Sequence, residues 1–158
     1  MEEARLLVEK LIRLHCTISF AESCTGGLLT KLITDVPGAS AVLKGGVCAY
    51  ANEIKHGVLA VTQHNLDTYG AVSRPVALEM ARGVKALMHT DIGVGTTGIA
   101  GPASDDTKKP VGLVYLGVAL LGGRYVSREL HLKGDRDQIR EETARQALSL
   151  VLEMTDHL

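Results

Sequence analysis

The chain has 158 residues, of which 17 are Lys or Arg and 18 are Asp or Glu, so its formal net charge is −1. This length is typical of one domain, taken here as residues 1–158, and the scattered basic residues argue against nucleic acid as a partner. One Phe and no Trp also exclude the aromatic platforms that stack single-stranded bases. No apolar run reaches the length of a membrane span, and the N-terminus lacks a signal-peptide pattern. We therefore expect a cytoplasmic protein with no membrane partner.

Cysteine and histidine spacing excludes the common metal and disulfide motifs. The cysteines are Cys16, Cys24 and Cys48, and no two of them form a C-x-x-C pair. The six histidines show neither H-x-x-H nor H-E-x-x-H spacing. We expect no metal ion and no disulfide framework. The glycine-rich fingerprints that bind ATP and dinucleotides are also absent from the sequence.

The first third of the chain predicts a helix, a strand and a second helix. Leu7, Leu11 and Leu14 recur at helical spacing with charged residues between them, which indicates an amphipathic helix. Residues 16–21 form an apolar run that predicts a buried strand. An apolar face over residues 28–33 predicts a helix that ends before Pro37.

The middle of the chain continues the alternation of strands and helices. Residues 44–50 indicate a second strand, which leads into a polar segment at residues 52–56. Ser73 is a natural N-cap for a helix whose apolar face covers residues 77–87. Residues 91–95 then predict another short strand.

The last third predicts an antiparallel hairpin and a closing helix. The hairpin joins residues 111–121 to residues 124–132 through Gly122 and Gly123, which tolerate the positive φ angles of a tight turn. Residues 138–154 predict the final helix. Its expected inward-facing side chains are Ile139, Thr143, Leu150 and Val151. This order of elements predicts an α/β fold, a three-layer α/β/α sandwich with a mixed, mostly parallel sheet of about five strands.

The segment at residues 21–27, AESCTGG, is the strongest indication of chemistry. It lies where the first predicted strand gives way to a helix, at the carboxyl edge of the sheet and beside the expected free amides of a helix N-terminus. A hydroxyl held there can attack a carbonyl while amides stabilise the oxyanion. Ser23 is therefore a candidate nucleophile, although serine is also a common turn or N-cap residue. Cys24 is an alternative nucleophile if the helix N-terminus lowers its pKa, and a small core residue otherwise.

A serine nucleophile needs a base, and two residues after the second strand are placed to serve it. Tyr50 and Lys55 follow a strand that we expect beside the first one. A lysine acts as a base when burial lowers its pKa from about 10.4 toward roughly 7–8, and Ser-Lys pairs are a recognised variant of the serine triad. No histidine is singled out for this role. Considered alone, Lys55 is also typical of a solvated charge on the surface. Tyr50 is likewise typical of a strand residue that packs its ring.

Eight short motifs, in order, closely resemble the C-terminal domain of the CinA (competence/damage-inducible) family. The resemblance runs from about Thr17 to the final helix. The motifs are 21–27 AESCTGG, 36–40 VPGAS, 45–47 GGV, 50–55 YANEIK, 69–73 YGAVS, 97–102 TGIAGP, 109–112 KPVG and 134–136 GDR.

This resemblance implies an enzyme. Active members of the family are nicotinamide-nucleotide amidohydrolases, which convert nicotinamide mononucleotide to nicotinate mononucleotide and ammonia in pyridine-nucleotide salvage. The resemblance implies that Ser23 is the nucleophile, Lys55 its general base and Tyr50 a supporting hydroxyl, with no metal or organic cofactor. Many family members carry a larger N-terminal domain that this sequence lacks, so the chain resembles the stand-alone form.

Glycine-containing loops are the candidates for binding the substrate. Amides near Thr25 are expected to stabilise the oxyanion, and the loop that starts at Thr97 to hold the ribose-phosphate. The expected substrate-binding residues are Thr25, Gly26, Gly27, Gly46, Thr97, Gly98 and Gly101. Asp105 and Asp106 stand where the family typically has glycines. Their charges are unfavourable near a phosphate unless they point away or pair with Lys108 or Lys109.

Three classes of function follow from these observations. The first is the amidohydrolase acting on a small nucleotide. The second is a nucleotide-binding module that keeps the same pocket without turnover. The third is a partner-binding protein in DNA uptake or repair, which the family name suggests but no basic patch supports. We also expect a homo-oligomer, a dimer or larger, from the resemblance and from the base rate.

Overall fold

The computed structural model describes residues 1–104 and 107–158, and within this part no helix combines the length and apolarity needed to cross a membrane. These residues form six α-helices and five strands. The helices are α1 (Glu2–Leu14), α2 (Leu28–Thr34), α3 (Asn52–Leu59), α4 (Gln63–Tyr69), α5 (Arg74–Met88) and α6 (Arg136–Thr155). The strands are β1 (Ile18–Glu22), β2 (Leu43–Cys48), β3 (Ile92–Gly98), β4 (Leu113–Ala119) and β5 (Tyr125–His131).

The five strands form one mixed sheet with the order β2-β1-β3-β4-β5. β1 pairs in parallel with β2 on one side and with β3 on the other. The β3–β4 and β4–β5 pairs are antiparallel, as predicted for the C-terminal hairpin. Because β2, β1 and β3 run in the same direction, their carboxyl ends meet at one edge of the sheet.

Helices cover both faces of this sheet, which confirms the three-layer α/β/α architecture. α5 lies across β1, β3 and β4 on one face, and α3 and α4 pack against α5. α2 and α6 contact the other face, and α1 packs against both of them. The larger apolar core lies on this second side and includes Phe20, Leu29 and Leu116, all fully buried.

Two paired glycines let α5 approach the sheet closely. Gly95 of β3 pairs with Gly117 of β4, and a Cβ atom on either would stand 2.5 Å from the carbonyl oxygen of Ala77. A side chain at these positions would push the helix away from the sheet. The glycine pattern of β3, GVGTTG, therefore serves helix packing as well as the loop that follows.

The sequence missed two helices and placed several element ends a few residues off. α3 covers the polar segment at residues 52–56 and continues to Leu59, and α4 follows it. α6 begins at Arg136, two residues before the prediction, because Asp135 and Gln138 form a capping box. Ser73 takes the N-cap position of α5, but its hydroxyl donates to the carbonyl of Gly70 and caps no amide.

Candidate active site

The carboxyl ends of β1 and β3 open into a cavity of about 180 Å³. Ser23 follows β1 directly, and Thr97 and Gly98 are the last residues of β3. α3, which follows β2, brings Lys55 into the same cavity. Five of the residues expected from the sequence line it: Ser23, Tyr50, Lys55, Thr97 and Gly98.

Ser23 and Lys55 face each other inside this cavity. The Lys55 ammonium donates to Ser23 Oγ at 3.0 Å and to the carbonyl of Tyr50 at 3.0 Å. Ser23 is 8% exposed and Lys55 only 1% exposed. Lys55 lies one helical turn before the buried Leu59, so both side chains face inward from α3. The local fold therefore places a lysine where most helices would bury an apolar residue.

Burial changes the acid–base behaviour of Lys55. Desolvation lowers the pKa of its ammonium from the usual 10.5 to about 8, and only a weaker interaction with the Cys24 thiol opposes this shift. In the part of the chain that the structure describes, no carboxylate forms an ion pair with Lys55. At pH 7, Lys55 is then neutral, and able to accept a proton, in about a tenth of the molecules. This matches the requirement for a general base.

The structure disfavours Cys24 as an alternative nucleophile. Its side chain is buried, and desolvation raises the pKa of the thiol to about 12. Lys55 and Arg140 act in the opposite direction but do not outweigh burial. The thiolate, which is the reactive form of cysteine, is therefore scarce at neutral pH.

Residues 23–27, called the Ser23 turn from here on, are held by backbone bonds at both ends. The Ser23 amide donates to the carbonyl of Thr96 at 3.1 Å, which ties the turn to β3. The Gly26 amide donates to the carbonyl of Ser23 at 3.1 Å. The amides of Cys24 and Thr25 donate to no backbone carbonyl among the described residues.

The expected free amides at the start of α2 are occupied. The buried carboxylate of Glu22 accepts hydrogen bonds from the amides of Leu29 and Thr30, at 2.9 and 3.1 Å, and from the Thr30 hydroxyl at 2.7 Å. Glu22 is 1% exposed. A carboxylate of the protein thus fills the position that an anionic ligand would take at a helix N-terminus. This corrects the expectation of an open helix end beside Ser23.

Tyr50 and an arginine that the sequence did not single out lie at the mouth of the cavity. Tyr50 is 67% exposed, and its hydroxyl accepts a hydrogen bond from Arg136 at 3.4 Å. Arg136 also donates to the carbonyl of Gly101 at 2.7 Å. Lys55 contacts the main-chain carbonyl of Tyr50, whereas the Tyr50 hydroxyl contacts Arg136.

Ala71 and Val72 line another wall of the cavity. They belong to residues 69–72, called the 69–72 segment from here on. The Thr97 hydroxyl donates to the carbonyl of Ala71 at 2.8 Å. The Lys109 ammonium donates to the carbonyls of Tyr69 and Val72, at 2.5 and 2.6 Å. Lys109 therefore anchors this wall. Asp105 and Asp106, for which it was a suggested partner, lie outside the described residues.

The other expected substrate-binding residues lie outside the cavity lining. Thr25 is fully buried, and its hydroxyl bonds that of Thr96 at 2.9 Å. A Cβ atom on Gly46 would come within 2.2 Å of the Thr30 hydroxyl, so this glycine allows β2 and α2 to pack. Gly26 and Gly27 have positive φ angles of 60° and 103° and shape the Ser23 turn. Gly101 contributes its carbonyl to Arg136.

Sequence reasoning missed two arginines that α6 directs to this site. Arg136 reaches the mouth, and Arg140, one turn later, donates to the carbonyls of Cys24 and Thr25. The sequence carried one signal for them: Arg136 and Arg140 are four residues apart and follow the helix cap at Asp135, so they lie on the same face of the helix. The lining also contains Cys24, which the sequence offered as the alternative nucleophile. The lining residues that the sequence did not name as site residues are Asn52, Ala71, Val72 and Ala100.

Comparison with known proteins identifies the family that this chain resembles. The sequence model of the CinA C-terminal domain family matches residues 2–155. A competence-damage inducible protein of Caldanaerobacter subterraneus subsp. tengcongensis is 50% identical over 151 residues, covering 95% of this chain and 36% of the relative. A CinA-like protein of Thermosynechococcus vestitus is 49% identical over 94% of this chain and 35% of its own length. The chain thus spans about a third of these curated relatives.

A solved structure shares the fold over nearly its whole length. The crystal structure of the competence/damage inducible protein CihA from Agrobacterium tumefaciens is 38% identical in sequence and superposes with a TM-score of 0.93. The match covers 96% of this chain and 93% of that chain. The two chains are therefore similar in extent as well as in architecture.

Proposed function

Because the chain belongs to the CinA C-terminal domain family, we propose that it is an amidohydrolase that converts nicotinamide mononucleotide to nicotinate mononucleotide and ammonia. The observation that carries the proposal is the buried contact of 3.0 Å between Lys55 Nζ and Ser23 Oγ. Lys55 has no carboxylate partner among the described residues, and its pKa is lowered to about 8, so it is suited to remove a serine proton. Among the described residues that line the cavity, no other nucleophile has a hydrogen bond to a base of this kind.

The first half of the reaction forms an acyl-enzyme. Ser23 Oγ attacks the carboxamide carbon, and Lys55 Nζ accepts the hydroxyl proton. The resulting tetrahedral intermediate carries a negative oxygen. When it collapses, the carbon–nitrogen bond breaks, and Lys55 returns its proton to the departing nitrogen, which leaves as ammonia.

The second half of the reaction is the same chemistry with water. A water molecule attacks the acyl carbon and gives its proton to Lys55. The ester bond to Ser23 then breaks, and the proton returns from Lys55 to Ser23 Oγ. One lysine therefore serves as base and acid in both halves, as its near-neutral pKa permits.

The amides of Cys24 and Thr25 are the candidates for stabilising the oxyanion. They follow the nucleophile directly, and no backbone carbonyl in the described part of the chain accepts from them. The amides of Ser23 and Gly26 are already bonded to carbonyls. Donors held in place before the reaction stabilise developing charge without the cost of reorganisation.

Cavity size and charge suggest how a mononucleotide is oriented. A volume of about 180 Å³ is below the usual range for a complete drug-sized ligand, so it suits the pyridine carboxamide end. The phosphate then lies at the mouth, where Arg136 provides a guanidinium that is not paired with any carboxylate among the described residues. Thr97 and Gly98 form the wall along the ribose.

Ammonia release from nicotinamide mononucleotide, measured with the wild-type protein and Ser23→Ala, tests this proposal. The matched control is Ser40→Ala, which removes an exposed hydroxyl. We expect ammonia and nicotinate mononucleotide from the wild type and the control, and a loss of at least about 10³-fold in Ser23→Ala. Folded wild-type protein that releases no ammonia but binds the nucleotide in calorimetry would instead support the binding module without turnover.

A further inference from the structure

We propose that Arg140 is a positioning residue for the Ser23 turn. Its guanidinium, delivered from α6, holds the two peptide groups that follow Cys24 and Thr25, so that the Thr25 amide keeps a fixed direction as an oxyanion donor. This inference rests on the proposed function, because it takes Ser23 as the nucleophile. Arg140 itself lies outside the cavity lining and acts through the turn.

The contact between Arg140 and the turn is specific in geometry. Nε donates to the carbonyl of Cys24 at 3.0 Å, and Nη2 donates to the carbonyl of Thr25 at 3.1 Å. Two donors of one rigid planar group thus bind two successive carbonyls. Gly26 permits this approach, because a Cβ atom there would stand 3.2 Å from Arg140 Nη2 and its φ angle is +60°.

These two bonds set the direction of the amides on the other side of the same peptides. In a trans peptide the C=O and N–H groups point in opposite directions. With the Cys24 carbonyl directed at Arg140, the Thr25 amide points away from the guanidinium. The same reasoning applies to the next peptide, whose Gly26 amide donates to the Ser23 carbonyl at 3.1 Å. Arg140 therefore orients the Thr25 amide, which donates to no backbone carbonyl among the described residues.

Arg140 also keeps its charge available to the turn. Among the described residues, no carboxylate forms an ion pair with it. Arg145, on the same helix, is instead neutralised by Glu142 and Glu3. A cation bound to a carbonyl polarises that peptide, and its amide then becomes a stronger donor. The guanidinium also acts to lower the pKa of the Cys24 thiol, although burial outweighs it.

A purely structural contact and a positioning role predict different measurements. Loss of a structural contact reduces stability and leaves the reactivity of the folded protein unchanged. Loss of positioning reduces the reactivity of Ser23 in protein that is still folded. Arg140 and Cys24 are 116 residues apart in the sequence, so the loss of their contact can reduce stability as well as reactivity. Both the stability and the reactivity of Ser23 must therefore be measured on each variant.

The test is the rate at which a fluorophosphonate probe modifies Ser23, followed by intact mass in wild type, Arg140→Ala, Arg140→Lys and Arg145→Ala. Ser23 Oγ forms a bond to phosphorus, fluoride leaves, and Lys55 accepts the serine proton. The phosphoryl oxygen occupies the oxyanion position, so the rate reports that site without any nucleotide. Thermal unfolding of each variant shows whether it is folded.

We expect Arg140→Ala to slow labelling by about 30-fold to 300-fold, the range expected when an oxyanion donor is misplaced. Arg140→Lys keeps the charge but has a single donor nitrogen in place of the planar fork, and it should recover part of the rate. Added guanidinium at low millimolar concentration should partly rescue Arg140→Ala, and Arg145→Ala should stay within about twofold of wild type. With nicotinamide mononucleotide, kcat should fall while KM changes by less than about threefold.

Labelling of folded Arg140→Ala and Arg140→Lys at the rate of Arg145→Ala would overturn the positioning role. Wild-type protein in which the probe does not modify Ser23 would contradict both this role and the nucleophile. Wild-type protein that is labelled at Ser23 but releases no ammonia from nicotinamide mononucleotide would refute the proposed substrate alone. In that case a slower rate in Arg140→Ala would still support the inference.

Discussion

Two walls of the same cavity are built in different ways. The Ser23 turn is followed by a helix that the Glu22 carboxylate caps, and Arg140 binds two carbonyls of the turn. The 69–72 segment is held by the Lys109 ammonium and the Thr97 hydroxyl, which bond its carbonyls. The difference lies in Glu22, which is 1% exposed, whereas Arg140 and Lys109 are both only partly buried.

This difference in burial indicates that the two walls tolerate the loss of a hydrogen-bond partner to different degrees. Buried polar groups that lose a partner have no water to replace it, so their loss is expensive. A partly exposed lysine leaves behind carbonyls that water can reach. Damage to the Ser23 turn should therefore reduce stability or kcat, whereas damage to the 69–72 segment should mainly weaken substrate binding. The following predictions test this contrast.

The largest effect is expected for Lys55→Met. Without a base for Ser23, kcat for ammonia release should fall at least about 10³-fold. The unfolding midpoint should change little, since Met fills the apolar volume and removes an ammonium that burial disfavours. Lys44→Met, at an exposed position on β2, is the control. A kcat within about tenfold of wild type would remove Lys55 from the mechanism.

The next largest effect is expected for Glu22→Gln. The amide keeps the volume of the side chain but replaces one acceptor oxygen with an NH2 donor, which then faces the amide donor of Leu29 or of Thr30. The free energy of unfolding should fall by about 2 kcal/mol, measured by urea denaturation. Glu53→Gln, at an exposed carboxylate in the first turn of α3, should change it by less than about 0.5 kcal/mol. Equal effects of the two changes would contradict the capping role of Glu22.

The pH dependence tests the protonation state of Lys55. Its pKa in the folded protein is about 8, and the base must be neutral to act. Below that pH, kcat/KM should rise about tenfold per pH unit, and it should level off above it. A profile that is flat from pH 6 to pH 9 would argue against a titrating lysine.

The same shift gives a prediction for stability. Unfolding restores the pKa of Lys55 to its usual 10.5. Between about pH 8 and pH 10.5 the unfolded chain therefore binds more protons at this site than the folded chain. The contribution of Lys55 to the free energy of unfolding must rise with pH across this window. Comparing wild type with Lys55→Met isolates that contribution.

The smallest effect is expected for Lys109→Met, in the 69–72 segment. The carbonyls of Tyr69 and Val72 lose a donor, and the segment becomes less ordered before the substrate binds. KM should rise about fivefold, with kcat within about twofold of wild type. Lys108→Met, which removes an exposed neighbouring charge, should leave both constants near wild type. If Lys109→Met lowers kcat without raising KM, the contrast is wrong, because the 69–72 segment would then affect kcat as the Ser23 turn does.

The elements with a strong local pattern were predictable from the sequence. Alternation, glycine turns and helical spacing identified β1, the C-terminal hairpin and α6, although not every end residue. α3 and α4 were missed because their sequences carry weak apolar periodicity. These short helices are stabilised by packing against α5, and isolated helices of this length are not stable in water.

The sequence by itself determined the sheet class and the candidates Ser23, Tyr50 and Lys55, whose roles the resemblance then implied. Local pattern and residue chemistry suffice for this, because both are properties of neighbouring positions. Only the tertiary structure decided that Lys55 is buried 3.0 Å from Ser23, that Glu22 occupies the helix amides, and that Arg140 binds the turn. These are contacts between groups brought together from separate elements. Their burial and hydrogen-bond geometry arise when the sheet and its helices pack.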